Sequence, residues 1–338
     1  MKVLFTVSYP LSWAKGGFTI QIEKTKEALE AQGVSVEWVD FSGGTTPSAD
    51  LIHYWGPPPC DYMWNSAKAM GMKSVVTFLS PQGFFKPRYK DYLVRCVRNG
   101  VRRGLGAHRL FGRMGLGLES ADSFIVLNEA ECRYVQFMYG WPASKCHVIP
   151  EGVDDCFFQS HNPVNQLDGL LYPSYICPRK NQVEVARLAK KEKIRVYFAG
   201  GAQGESPDYF AQFQQELDGN HAIWLGEITN RQQLATLYQS TLGTFLASDY
   251  DNQGIILLES LACGKPVMGP DLPSLRSYFG DHIHYGPSAK SVAFADALNR
   301  FNQFCRSGGT QTMHILSWGD VGRQVLDVYQ KVLGRTGA

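Results

Sequence analysis

The sequence predicts an α/β protein of two similar halves, each a parallel sheet with crossover helices. Three observations predict it. At 338 residues the chain exceeds one ordinary domain and fits two of about 150 to 170 residues, each able to bury its own core. Short apolar runs rich in β-branched and aromatic residues alternate with longer stretches of helical spacing, which is how strands buried on both faces read. The alternation runs through the first half and then repeats in the second.

Val3 to Val7 reads as the first strand, Gly16-Gly17 as the turn after it, and Thr19 to Gln32 as a helix with Ile22, Ala28 and Leu29 in register, stopped by Gly33. Strands at Val36 to Val39, Leu51 to Tyr54, Ser74 to Phe78, Ser123 to Leu127 and His147 to Ile149 complete a Rossmann-like half. The second half repeats the scheme at Leu170 to Ile176, Val196 to Ala199, Ala222 to Trp224, Gly243 to Leu246 and Pro266 to Gly269. The Asn- and Gln-bearing stretch Phe157 to Leu167 is the expected linker, which gives domains at residues 1–160 and 161–316. Val321 to Leu333 reads as a terminal helix, within residues 317–338, that packs back on the first domain. Two facing domains imply a ligand cleft, since open parallel sheets bind ligands beyond their strand carboxyl ends.

Composition narrows the function. Hydrophobic residues at 44% and charged residues at 19% describe a chain that folds throughout. A net charge of +2 does not by itself call for a polyanionic partner. The eight cysteines, at 60, 96, 132, 146, 156, 177, 263 and 305, form no CxxC pair and no Cys/His cluster with metal-ligand spacing. No disulfide framework and no metal site are therefore expected, and free buried thiols suit a reducing cytoplasm. MKVLFTVSYP enters a strand directly, and no apolar run nears the roughly 18 residues of a membrane span. Neither an export signal nor a transmembrane anchor is expected.

The densest chemical signal runs from Phe245 to Val267, where a strand passes through SDYDNQG into the helical run Ile255 to Ala262. A strand, a glycine turn and a helix N-terminus form an anion site, because free N–H groups and the helix dipole converge. Gly254, Ile255 and Ile256, with Asn252 and Gln253 before them, are thereby expected to cradle a diphosphate. Asp251 stands before the helix and Glu259 about one and a half turns inside it, so both carboxylates can accept from hydroxyls of one ligand. The same residues also suit a simple capped helix, with Asp251 or Asn252 at its N-cap and Glu259 on a solvated face. A second positive site is expected at Arg179-Lys180, just after a strand, to neutralise a departing diphosphate.

DNQGIILLESLACGKPV, Asp251 to Val267, resembles the signature of retaining, metal-independent glycosyltransferases of family four, written roughly EGFGLxxLEAMACGxPV. The glycine, the second acid and the ACGKPV tail match, while Asp251 is one methylene shorter than the family's first glutamate. KCHVIPEGVD at Lys145 to Asp154 and ADSFIVLNEAE from Ala121 resemble other parts of that family in the same order. The resemblance implies the GT-B fold, a hexosyl transfer from a UDP-sugar or GDP-sugar co-substrate with no cofactor, and a ribose-binding role for Glu259. It further implies that Lys180 matches a conserved lysine with Arg179 beside it, and that Gly200-Gly201 is a glycine turn near the nucleotide. Backbone at Glu227 and Ile228 is expected to meet the base. On the acceptor side, Gly16-Gly17 resembles a glycine loop, and SPQGF with Ser80 and Gln82 resembles a turn of members that build surface polysaccharides. Leu79 and Ser80 occupy the place where many relatives carry a histidine, so no general base is assigned.

Between Lys86 and Arg113 nine lysines and arginines face one acid, Asp91, with Tyr89, Tyr92, Leu93, Val97 and Val101 interleaved. Such a helix suits an anionic membrane surface and a lipid-linked acceptor, a phosphate-contacting face for DNA, or plain solvation. The expected function is a retaining hexosyltransferase acting on a glycan or lipid-linked acceptor, cytoplasmic or peripheral at the inner membrane face. A transferase acting on a hydroxylated DNA base and a degenerate GT-B nucleotide-sugar binder are the alternatives.

Overall fold

The β-branched and aromatic runs of each half pair in parallel into one sheet. The computed structural model describes residues 1–7, 11, 16–40, 48–56, 61–78, 89–104, 121–159, 165–202 and 206–335. The first half forms β1 (Lys2–Val7), α1 (Gly17–Glu30), β2 (Ser35–Trp38), β3 (Leu51–Trp55), α2 (Asp61–Ala69), β4 (Lys73–Thr77), α3 (Tyr89–Gly104), β5 (Ser123–Val126), α4 (Glu129–Tyr139) and β6 (Cys146–Val148). Its strand order is β2-β1-β3-β4-β5-β6. The second half forms β7 (Leu170–Pro173), α5 (Gln182–Glu192), β8 (Val196–Ala199), α6 (Pro207–Gln215), β9 (Ala222–Trp224), α7 (Arg231–Ser240), β10 (Gly243–Phe245), α8 (Ile255–Ala262), β11 (Val267–Pro270), α9 (Pro273–Phe279), β12 (His284–Gly286) and α10 (Ala293–Arg306). Its order is β12-β11-β10-β7-β8-β9. Counted within each half, these are the flavodoxin-like and Rossmann orders of doubly wound sheets.

The chain divides into two compact units, Met1–Glu151 with Trp318–Ala338, and Gly152–Ser317. The division falls earlier than residue 160. Phe157 is fully buried among the second unit's core, edge-on to Tyr238 at 5.7 Å, so the first residue of the expected linker is already part of that fold. Val153 bridges Ser317, and its N–H donates to Leu316 O at 2.9 Å.

The terminal helix α11 (Trp318–Val332) belongs to the first unit. It packs on α1 where Gly322 meets Ala28 so closely that an added Cβ would lie 2.7 Å from the Ala28 Cβ. It also reaches the sheet. His53, fully buried on β3, has Nδ1 2.5 Å from the Tyr329 hydroxyl and Nε2 2.7 Å from Thr77 Oγ1. The imidazole stacks on Trp55 at 4.3 Å, and burial pulls its pKa down to about 3, so it is neutral at physiological pH.

Candidate donor site

In the second sheet β7 and β10 are neighbours although β8 and β9 lie between them in sequence, and ligands of open sheets bind beyond strand ends at such a switch point. Both carboxyl ends carry residues singled out above. After β7 the chain makes a 3-10 turn at Pro178–Lys180, and Asn181 adopts the left-handed conformation at φ 57° before α5. After β10 it reaches Gly254, left-handed at φ 72°, immediately before α8. Asn181 ties the two loops, its Nδ2 donating to Ala247 O and to Asp249 Oδ1, each at 2.8 Å. Beneath them Tyr172 stacks on Phe245 at 5.0 Å, donates its hydroxyl hydrogen to Lys180 O and accepts from Ala247 N–H at 3.2 Å.

Arg179, Lys180 and Asp251 are thereby brought together. Lys180 Nζ donates to Asp251 Oδ2 at 2.8 Å, and Arg179 Nη1 lies 3.6 Å from the same oxygen. Arg179 also donates to Tyr250 O at 2.9 Å and sits over the Tyr250 ring at 5.0 Å. Burial pushes the Asp251 carboxyl up, but Lys180 and Arg179 outweigh it and hold the acid below the ordinary carboxylate value. Burial likewise pulls the Lys180 ammonium down, against the opposing attraction of Asp251. Asp251 Oδ1 accepts from Gly254 N–H at 3.1 Å, so one amide expected to face an anion is engaged within the turn. Asn252 is half-buried and Gln253 buried in that turn. The N–H groups of Ile255 and Ile256, in the first turn of α8, have no partner of helical spacing. Two cations against one acid at a helix N-terminus make a locus suited to a polyanion.

Glu259 does not lie on a solvated face. Its side chain is 2% exposed, and both oxygens are engaged. Tyr238 donates its hydroxyl hydrogen to Oε2 at 2.7 Å, and Arg231 Nη2 donates to Oε1. Arg231 Nε donates in turn to Asp154 Oδ2 at 2.6 Å, and its guanidinium covers the Phe157 ring at 4.7 Å. Burial pushes the Glu259 carboxyl above its usual value, against the attraction of Arg231 and the Tyr238 hydrogen bond. Sequence reasoning missed Asn181, Asp154, Arg231 and Tyr238. Arg231 left a signal: it is the first residue of α7, where the helix dipole disfavours a cation, so an acidic partner is implied.

Gly200, Gly201, Glu227 and Ile228 form a further group beyond β8 and β9. Gly200 has φ 155°, and a Cβ there would lie 2.1 Å from Ser174 O. A Cβ on Gly201 would lie 2.8 Å from Glu227 Oε2. Gly200 N–H donates to Gly226 O at 2.8 Å, and Trp224 Nε1 donates to Gly200 O at 3.0 Å. Glu227 is exposed, while Ile228 packs against the core.

In the first unit Gly16 is extended, and its carbonyl accepts from Ile20 N–H at 3.1 Å as Gly17 opens α1. A Cβ on Gly16 would meet open space, so internal packing does not demand glycine there. Ser80 and Gln82 lie outside the described residues, as do 86–88 and 105–113 of the basic stretch. On α3, Tyr89, Tyr92, Leu93, Val94 and Val97 are exposed. Tyr92 meets Phe137 of α4 edge-on at 4.8 Å, with Arg95 over the same ring at 4.5 Å. Among the described residues no helix is long and apolar enough to cross a membrane.

Residues 157–303 match the family of glycosyl transferases group 1. The chain is 25% identical over 193 residues to the D-inositol 3-phosphate glycosyltransferase of Kineococcus radiotolerans, covering 51% of this chain and 44% of that protein. It is 24% identical over 245 residues to the same-named protein of Mycobacterium bovis, covering 65% and 51%. The chain thus spans about half the length of the curated relatives it matches. Sucrose-phosphate synthase from Thermosynechococcus elongatus superposes with a TM-score of 0.67 at 16% identity, over 98% of this chain and 99% of that one. Anabaena HepE in complex with UDP-glucose superposes with a TM-score of 0.61 at 14% identity, over 99% and 98%. Residues 157–303 thus resemble the glycosyl transferases group 1, and the two six-stranded parallel sheets are those of the GT-B fold.

Proposed function

We propose that this chain is a retaining, metal-independent hexosyltransferase that uses a UDP-sugar or GDP-sugar and a glycan or lipid-linked acceptor. The observation that carries this reading is the meeting of Lys180, Arg179 and Asp251 at the switch point, beside the first turn of α8. A diphosphate seated there exchanges the attraction of Asp251 for Lys180 with its own, and gains Arg179 and the Ile255 and Ile256 amides. In the transfer the bond from the anomeric carbon to the β-phosphate oxygen breaks, and the nucleoside diphosphate leaves with the electron pair. The acceptor oxygen bonds to the anomeric carbon on the same face, and its proton passes to the departing phosphate oxygen. Lys180 and Arg179 stabilise the charge that develops, which is the work a metal performs elsewhere. Support also comes from the UDP-glucose bound by HepE and from the transferase names of the curated relatives.

Turnover of UDP-hexoses and GDP-hexoses in the presence of a chelator, by wild-type and Lys180→Ala protein, tests the reading. Wild-type protein releases nucleoside diphosphate, and Lys180→Ala slows release about 10²–10³-fold, as loss of one charge-stabilising donor does elsewhere. A Lys180→Ala enzyme as fast as wild type, or a wild type inert towards every donor, sinks it.

The exposed apolar side chains of α3, set among arginines, favour a lipid-linked acceptor met at an anionic membrane surface on the cytoplasmic side. Wild-type protein should co-sediment with phosphatidylglycerol vesicles, and Leu93→Glu/Val97→Glu protein should not. Equal retention of both proteins, or equal binding to neutral vesicles, removes this reading.

A further inference from the structure

Around Glu259 stand three residues for which the donor reading has no use, Arg231, Tyr238 and Asp154, and their geometry sets what the carboxylate can still accept. An ionised carboxylate offers about four lone-pair positions, two on each oxygen. Arg231 occupies one on Oε1 and Tyr238 one on Oε2. One acceptor position therefore remains on each oxygen, enough for two hydroxyl donors. Both positions exist only while the carboxyl is ionised, because a proton turns one acceptor into a donor. Burial works against the ionised form, and Arg231 is the foremost charge that supports it.

Arg231 is itself fixed in place. Its Nε is bonded to Asp154 at 2.6 Å and its plane lies on Phe157, so the guanidinium presents Nη2 to Glu259 in one orientation. Its side chain is 29% exposed against 2% for Glu259, so the network opens to solvent on the Arg231 side. A lysine at this position would carry the charge as a point and could not span Asp154 and Glu259 with a rigid fork.

We infer that Arg231 is a positioning residue for the donor: by holding Glu259 in one orientation, it makes the site read the vicinal diol of the nucleotide's ribose. This rests on the donor reading given above. A network that merely stapled α7 to α8 would change stability when broken, but not the discrimination between ribose and deoxyribose.

The test is equilibrium binding of UDP, GDP and their 2′-deoxy forms to full-length wild-type, Arg231→Met and Arg231→Lys proteins, between about pH 6 and about pH 8.5. Wild-type protein should hold the ribonucleotide about tenfold or more tighter than its deoxy form, the range of a hydrogen bond to a charged group. In Arg231→Met that ratio should fall to within about twofold of unity. Any residual preference should fade as pH falls, because unopposed burial raises the Glu259 carboxyl further. Should Arg231→Met not fold, Arg231→Lys decides: a ratio reduced about threefold or more supports the inference, and an unchanged ratio overturns it. A wild type that binds UDP or GDP but ignores the 2′-hydroxyl overturns this inference alone. A wild type that binds neither nucleotide overturns the donor reading and the inference with it.

Discussion

Acid should loosen the first unit through His53, and by a predictable amount. The imidazole is fully buried between Tyr329 and Thr77, with a folded pKa of about 3 against 6.5 for a free histidine. Between those values the unfolded chain takes up a proton that the folded chain refuses, so stability falls as pH drops below 6.5. At pH 7.5 the effect is negligible; at pH 5 it reaches about 2 kcal/mol, or about thirtyfold in an opening equilibrium. Because the two-state assumption does not extend to a chain of two compact units, a single melting curve is a poor readout. Hydrogen exchange of β3 and α11 amides, corrected for the intrinsic pH dependence, reads the local opening directly. Wild-type protein should lose about thirtyfold in protection between pH 7.5 and pH 5. His53→Gln protein, less stable at both pH values by about 1–3 kcal/mol for its unpaired partners, should lose far less on acidification. An identical loss in both proteins would refute the reasoning.

Two further outcomes follow from the second unit. Gly200→Ala puts a Cβ 2.1 Å from Ser174 O at φ 155°, so it should destabilise this unit by about 2–4 kcal/mol; hydrogen-exchange protection of β7 and β8 amides equal to wild type contradicts the geometry. Asp251 has a folded pKa below its unfolded value of 3.8, so its contribution is present above that pH and lost as pH falls through the lower folded value. Asp251→Asn should therefore flatten the acid limb of the stability profile, and denaturant titrations between about pH 2 and about pH 5 that superimpose on wild type would refute it.

Much of the fold was legible because its strands are buried on both faces. Runs such as Val75-Val76 and Leu170-Leu171 have no exposed register to confuse with a helix, and all four residues are fully buried. β12 escaped because His284-Tyr285-Gly286 is three residues long and half-buried at two of them, which leaves no apolar run to see. The unit boundary was misplaced because Phe157, read locally, is one aromatic among polar neighbours; its partner Tyr238 comes from another element. In the site, the positions of Asp251 and Glu259 were local facts of one helix start. Their surroundings were not. Lys180 reaches Asp251 across 71 residues, and Asp154 reaches Arg231 across 77, through strand order that only folding establishes. The alternative of a simple capped helix with Glu259 on a solvated face failed for that reason, since helical spacing does not reveal which neighbour covers a face.

The return of α11 to the first unit has a consequence for how the molecule is made. A ribosome delivers β1 to β6 first, yet the residues that cover α1 and satisfy His53 are Gly322 and Tyr329, which emerge after the whole second unit. The domain begun first is therefore finished last. Throughout synthesis of residues 152–317 it carries an uncovered helix face and a buried imidazole lacking one of its two partners, and must persist as an incomplete fold until α11 closes it.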